Sequence, residues 1–350
     1  MDVLGFDKLI YHYDKIEKIK QDKPQFPINL TLSLGNYCNH GCKWCTVYAV
    51  QDEQVRHADF DKYISFIEMA KSRGLKAVGY VGSGEPTAYP KFGDLVKRIG
   101  EMGIEQGMFT NGYLLDRYRD EVLENFTYFR ISLDAGSTEV HDDMHRVKGH
   151  FDKIIENTAE IIKRRKDSLP TVGIQFATHQ ENIHDLYNSA QIAHDIGADY
   201  FSIKPVFNWG GGANKERIDP NNLTNADLQP IVSRIRNDFE NPNFTIFYRP
   251  FQIDSVQQGH NVFEYDRCVA GLFNLNMYET GVLTCCSPHK VSVGTIDDDP
   301  DVLMQRIFET TKELDLSKCP PSCRYHPMNH LVDTILKPDE RQKMKHSNFI

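Results

Sequence analysis

The sequence predicts an α/β protein built on a parallel sheet, and three observations point to it. Strand-like and helix-like segments alternate from about residue 28 to 245, as a parallel sheet with crossover helices requires. Several successive strands carry one polar face. The first strand runs directly into three cysteines within eight residues, Cys38, Cys42 and Cys45. At 350 residues the chain is long enough for one large α/β barrel and a small appended domain. The alternation alone fits a six-fold barrel and a doubly wound open sheet equally.

The strands are expected at 28–34, 77–81, 107–110, 128–133, 171–178 and 200–205, and the helices at 59–72, 91–102, 114–125, 151–165, 182–196 and 225–239. Side chains alternate across a strand. The first strand thus sets Asn29, Thr31 and Ser33 opposite Leu30, Leu32 and Leu34. The fourth groups Arg130, Ser132 and Asp134, and the sixth groups Ser202 and Lys204. Gln175 interrupts an otherwise apolar fifth strand. Polar faces on several strands predict a polar lumen, with strand-end exposure as the alternative for any one residue. Gly210-Gly211-Gly212 reads as a flexible loop after the last strand.

The trio sits in Gly35-Asn36-Tyr37-Cys38-Asn39-His40-Gly41-Cys42-Lys43-Trp44-Cys45. Thiolates so closely grouped are soft ligands that suit zinc or an iron–sulfur cluster. A structural zinc site fills four positions, and a [4Fe–4S] cube has four irons. Three local ligands therefore suggest a cube with one iron left open. Buried apolar thiols or part of a zinc knuckle are the plain alternatives. His40 reads as a solvated loop residue.

This motif resembles that of the radical S-adenosylmethionine (SAM) superfamily. The resemblance implies a partial (β/α)6 barrel, with Cys38, Cys42 and Cys45 holding a [4Fe–4S] cluster whose open iron chelates SAM. Reductive cleavage of SAM then gives a 5′-deoxyadenosyl radical that takes a hydrogen atom from substrate. Trp44 matches the aromatic the family sets against the adenine. Gly82-Ser83-Gly84-Glu85 is similar to the Gly-Gly-Glu element that binds the methionyl amino group, with Ser83 and Gly84 as departures. Glycines admit close backbone approach and a carboxylate can pair with an ammonium. Ser132 and Asp134 could bond the ribose hydroxyls or the methionyl carboxylate, Asp134 as a helix cap being the rival. Asn182 and Lys204 are expected to frame the adenine.

A second cysteine group comprises Cys268, Cys286 and Cys319-Pro320-Pro321-Ser322-Cys323. It resembles the Twitch domain, the shorter relative of SPASM, in which four cysteines hold one auxiliary cluster, here expected to be [4Fe–4S]. The final pair departs from the family's Cys-x2-Cys, and a zinc site on the same thiolates is the alternative. The stretch 272–286 reads as a β-hairpin turning at Tyr278-Glu279-Thr280-Gly281, which carries Cys268 towards Cys286. Cys285 faces the other way, as a packing thiol or a hydrogen-atom donor. The expected organisation is an N-terminal extension (1–27), the barrel (28–245), a Twitch-like β-hairpin/α domain (246–335) and a tail (336–350).

Composition is that of an ordinary globular enzyme, 40% apolar and 25% charged, with a formal net charge of −9. That balance lacks the broad basic surface of a nucleic-acid binder, and Lys163-Arg164-Arg165-Lys166 reads as a solvated helix end. No secretory signal, membrane span or disulfide pattern is evident, which predicts a cytoplasmic protein without a membrane partner. Function is expected to be oxidation of a small polar molecule, such as a sugar, aminocyclitol or nucleotide sugar. The auxiliary cluster would accept an electron, and an external reductant such as flavodoxin or ferredoxin would supply the first one. Only 37 residues precede Cys38, short for an added peptide-recognition domain. The alternatives are an epimerase with Cys285 as hydrogen donor, a peptide-modifying maturase, and a non-catalytic iron–sulfur carrier, which would have no use for SAM-binding elements.

Overall fold

The computed structural model describes residues 5–45, 55–207, 218–258, 263, 265–289, 291–320 and 323–337. The Gly210-Gly211-Gly212 loop, Pro321, Ser322 and most of the expected tail lie outside them. In chain order the helices are α1 (Tyr13–Lys20), α2 (Phe60–Ser72), α3 (Phe92–Glu101), α4 (Arg119–Asn125), α5 (Thr138–His145), α6 (Phe151–Arg164), α7 (Leu186–Asp195), α8 (Asn225–Phe239), α9 (Pro250–Gln258), α10 (Pro300–Glu313) and α11 (His326–Leu336). The strands are β1 (Asn29–Leu32), β2 (Ala77–Tyr80), β3 (Glu105–Thr110), β4 (Phe126–Ser132), β5 (Thr171–Thr178), β6 (Tyr200–Pro205), β7 (Thr245–Tyr248), β8 (Asn274–Met277), β9 (Val282–Thr284) and β10 (Ser292–Thr295).

All ten strands form one sheet in the order β10-β9-β8-β1-β2-β3-β4-β5-β6-β7. It is parallel from β8 through β7, and β9 and β10 are antiparallel additions. This is the mixed α/β, partial-barrel architecture. The apolar strand faces, including Leu30, Leu32, Phe129, Phe176 and Phe201, are fully buried. Among the described residues, no helix is long and apolar enough to cross a membrane.

Two features depart from the sequence expectation. The sheet runs through the expected boundary at 245, because β7 pairs with β6 there. The C-terminal segment also joins the barrel itself, with β8 adding parallel to β1, Asn29 opposite Asn274 and Leu32 opposite Met277. Asn274 Oδ1 then accepts from Asn29 Nδ2 at 2.6 Å and from Thr31 Oγ1 at 3.0 Å. The polar face of β1 is therefore partly satisfied by β8.

Candidate functional site

Beyond β1 the chain turns across the strand ends, held by backbone on both sides. Glu85 N donates to Tyr37 O at 2.8 Å, and a Cβ at Gly84 would lie 2.0 Å from that same oxygen. Glycine is thus required where the Gly82–Glu85 segment buttresses the cysteine loop. On the other side Gly41 N and Lys43 N donate to His145 O and Met144 O at the end of α5. Lys43 Nζ pairs with Asp143 and Glu181 at 2.6 and 2.8 Å. Cys38, Cys42 and Cys45 are part-buried on this strapped loop. Burial, with Glu85 nearby, pushes the Cys38 thiol up to about 12. Burial and the neighbouring sulfurs raise Cys42 as well. Such thiols keep their protons until a metal displaces them.

His40 is buried, not solvated. Its Nδ1 lies 3.0 Å from His145 Nδ1, and its Nε2 lies 3.0 Å from His150 Nδ1. His145 Nδ1 also lies 3.4 Å from Cys42 Sγ, and its Nε2 lies 3.4 Å from Asp134 Oδ2. The His141 ring stacks on His145, and Trp44 meets that ring edge-on at 5.2 Å. Burial lowers the affinity of His40 and His141 for protons. The loop is therefore backed by a wall of imidazoles in which His40 and His141 stay neutral. Three thiols on a rigid loop fit a soft cluster with one site left open.

Glu85 is buried, and its carboxylate does local work. Its Oε1 accepts from Thr87 N, Thr87 Oγ1 and Thr110 Oγ1, and Oε2 accepts from Asn111 N at 2.9 Å. A carboxylate offers about four lone-pair positions, so Oε2 retains room for an ammonium donor. Ser83 N donates to Ser33 Oγ at 3.1 Å. Ser33 Oγ in turn lies 3.2 Å from Glu279 Oε2. Glu279 is a carboxylate of the β8–β9 turn that sequence reasoning missed, because it reaches this place only through the parallel β8–β1 pairing. The signal was its place in a hairpin turn; the register was not visible. His145 was missed likewise, since no spacing links it to Cys42.

Asp134 does not share a face with Ser132. β4 ends at Ser132, Asp134 adopts a left-handed φ of 57°, and the strand alternation stops. Its Oδ1 accepts from Ala177 N at 2.6 Å and its carbonyl accepts from Asn182 Nδ2 at 2.9 Å. The capping role is not Asp134's either, since Ser137 caps α5. Asn182 is fully buried, both amide hydrogens going to the carbonyls of Asp134 and Ala177. Its side chain holds the strand ends together, Oδ1 accepting from His179 N at 2.8 Å. Ser132 and Lys204 remain half-buried, level with Gln175 and Ala177 of β5.

The hairpin forms as expected, with Gly281 at φ 81° in its turn. Cys286 follows β9, and burial pushes its thiol up to about 11, with Cys323 and Cys268 near enough to add to that. Cys268, Cys286 and Cys323 each raise the Cys319 thiol, which burial takes to about 12. Asn329 Nδ2 donates to Cys268 Sγ at 3.3 Å, and His289 Nε2 lies 3.3 Å from Cys319 Sγ. Four thiols with polar support fit a second metal group. Cys285 corrects the hydrogen-donor expectation. It is 3% exposed, its Sγ points at Ile307 O of α10, and a Cβ on Gly271 would touch that sulfur at 2.8 Å. It packs the interior and does not reach the lumen.

Residues 32–193 match the Radical SAM superfamily model. The tungsten-containing aldehyde ferredoxin oxidoreductase cofactor-modifying protein of Pyrococcus furiosus is 28% identical over 178 residues, 49% of each chain. The antilisterial bacteriocin subtilosin biosynthesis protein AlbA of Bacillus subtilis is 23% identical over 283 residues, 78% of this chain and 58% of AlbA. The chain thus spans about half the length of these curated relatives. Streptococcus suis SuiB, solved with its precursor peptide SuiA, has the same fold, with TM-score 0.67 at 17% identity over 88% of this chain and 72% of SuiB.

Proposed function

We propose, because residues 32–193 of this chain are a Radical SAM superfamily domain, that it starts radical chemistry at Cys38, Cys42 and Cys45 and modifies a peptide. The cofactors of such a domain are a [4Fe–4S] cluster and SAM, which supply a 5′-deoxyadenosyl radical. In this reading Cys38, Cys42 and Cys45 hold the cluster and the imidazole wall orients Cys42. Glu85 Oε2 and Glu279 are the carboxylates offered to the SAM ammonium, with the Gly82, Ser83 and Gly84 turn beside them. Cys268, Cys286, Cys319 and Cys323 hold the auxiliary cluster in a Twitch-like domain.

The observation that carries the reading is the shared sheet: β8 of the C-terminal segment pairs parallel with β1, which leads into the cysteine loop, and Glu279 Oε2 comes to 3.2 Å from Ser33 Oγ. Arg130 of β4 and Lys204 of β6 lie on the same face of the sheet, by the register of both strands with β5. The peptide, not the carbohydrate expected from sequence, is favoured by two similar proteins. AlbA serves bacteriocin biosynthesis and SuiB binds a precursor peptide. Their likeness also removes the argument drawn from the short segment before Cys38, since β8 and the auxiliary segment build the lumen wall here.

The test is anaerobic reconstitution with SAM and a one-electron reductant. The protein should form 5′-deoxyadenosine and change the mass of a short peptide encoded beside its gene. A panel of sugars and aminocyclitols serves as the competing arm. Turnover of a sugar with every peptide inert would overturn the peptide reading. No 5′-deoxyadenosine at all would overturn the radical one.

A further inference from the structure

We propose that the barrel lumen is an anion receptor in which Arg130, Lys204 and Arg324 take a carboxylate of the peptide substrate. The inference deepens the peptide reading and rests on it.

Arg130 is 7% exposed and its guanidinium lies over the Phe109 ring at 3.9 Å. Its Nε is buried without a hydrogen-bond partner. Among the described residues no carboxylate forms an ion pair with Arg130, Lys204 or Arg324. Asp134 is the last and smallest of the charges acting on Arg130, and its oxygens face Ala177 N and His145. A buried cation left unpaired is costly. Lys204 stands on the same sheet face as Arg130, and burial together with neighbouring guanidinium groups depresses its ammonium. A structural role does not explain that arrangement, because a fold gains nothing from a buried guanidinium whose Nε lacks an acceptor beside a half-buried ammonium. A bound anion does, since it neutralises both at once.

The site is also built and open. Tyr128 lies across Gly107 and Tyr200 across Gly173, where a Cβ would meet each ring at about 2 Å, 2.1 and 2.0 Å respectively. The Tyr200 hydroxyl is buried with no partner, a donor awaiting an acceptor. Lys204 is half-buried, and Arg324 is exposed, its Nη2 donating to the Tyr325 hydroxyl at 2.6 Å. Both therefore remain within reach of a ligand from solvent. Guanidinium groups bind carboxylates through paired, charge-assisted hydrogen bonds.

The experiment titrates the reconstituted holoenzyme with three tripeptides while following heat flow and thermal unfolding. They are acetylated, amidated Ala-Glu-Ala, its Gln counterpart, and acetylated Ala-Ala-Ala with a free C-terminus. One or both acids should bind and raise the melting temperature, and the Gln peptide should not. The arm that binds tells a side-chain carboxylate from a terminal one. Arg130→Met and Lys204→Met should each weaken the acid's binding about tenfold or more, while Lys204→Arg retains it. If Arg130→Met does not fold, Lys204→Met and Tyr200→Phe carry the test. Equal binding of all three peptides, or unchanged affinity in the variants, overturns the receptor. Binding of inorganic phosphate with neither acid peptide overturns the carboxylate assignment. Formation of 5′-deoxyadenosine without peptide is measured alongside, so failure of the radical reading is seen separately.

Discussion

At the residue scale Lys204 states the lumen's character most sharply. Burial and the cations Arg130, Arg249 and Arg324 all disfavour its charged form. Between its depressed folded value and the ordinary value of 10.5, the unfolded chain holds a proton that the folded chain releases. Stability contributed by this group must then rise with pH across that window. Methionine carries no such proton, so Lys204→Met should stabilise the anion-free protein at pH 7 and lose that advantage as pH approaches 10.5. Denaturant midpoints of both proteins at pH 7 and 10 check the sign. A destabilised Lys204→Met at pH 7 would mean the ammonium has a partner in the fold. Lys204 was legible as part of the polar face of β6 because alternation along that strand is strict. Its lack of a counter-charge was not, since that depends on Arg324 returning from 120 positions later, a contact with no local signature.

At the element scale the regular strands and helices of the barrel were legible, and the irregular joints were not. β5, β6 and α8 fall where patterning sets them. The expected helices at 114–125 and 182–196 open instead as 3-10 turns, Leu115–Tyr118 and Ile183–Asp185. α5 was missed because His141 and His145, not aliphatic residues, form its buried stripe with Met144. That matters because α5 backs the cysteine loop. The opposite support is the Gly82–Glu85 segment, whose motif was legible while its mechanical role was not. Gly84→Ala would drive a methyl into the backbone of Tyr37, with contacts of 2.0, 2.6 and 2.8 Å. Backbone cannot rotate away, so the loop must shift. The expected cost is about 1–3 kcal/mol, with reduced iron at the trio after reconstitution. Gly79→Ala, whose Cβ meets nothing within 4 Å, is the control. Equal iron content in the two variants would show that the loop does not depend on this contact.

At the scale of the whole molecule, one sheet carries both cysteine groups, and their metal contents should nonetheless be separable. Cys38, Cys42 and Cys45 hang from the loop after β1 and are braced by Gly84 and α5. Cys268, Cys286, Cys319 and Cys323 belong to the C-terminal segment, braced by Asn329 and His289. Neither set takes a hydrogen bond from the other's bracing residues in the contacts described above. Removing one set should therefore leave the other able to load. Protein with Cys38, Cys42 and Cys45 all replaced by alanine should retain iron and sulfide at about four of each per chain, one cube's worth on four thiolates. Its SAM cleavage should be lost. Protein with the four auxiliary cysteines replaced by serine should retain about four irons at the trio and still form 5′-deoxyadenosine, with no peptide product. Iron and sulfide assays with low-temperature EPR of the reduced proteins read both outcomes. Zinc without sulfide in the first variant would mean that the auxiliary thiolates hold a tetrahedral structural ion. The protein would then have a radical source and no electron acceptor. Any net oxidation of the peptide would have to pass its electron elsewhere.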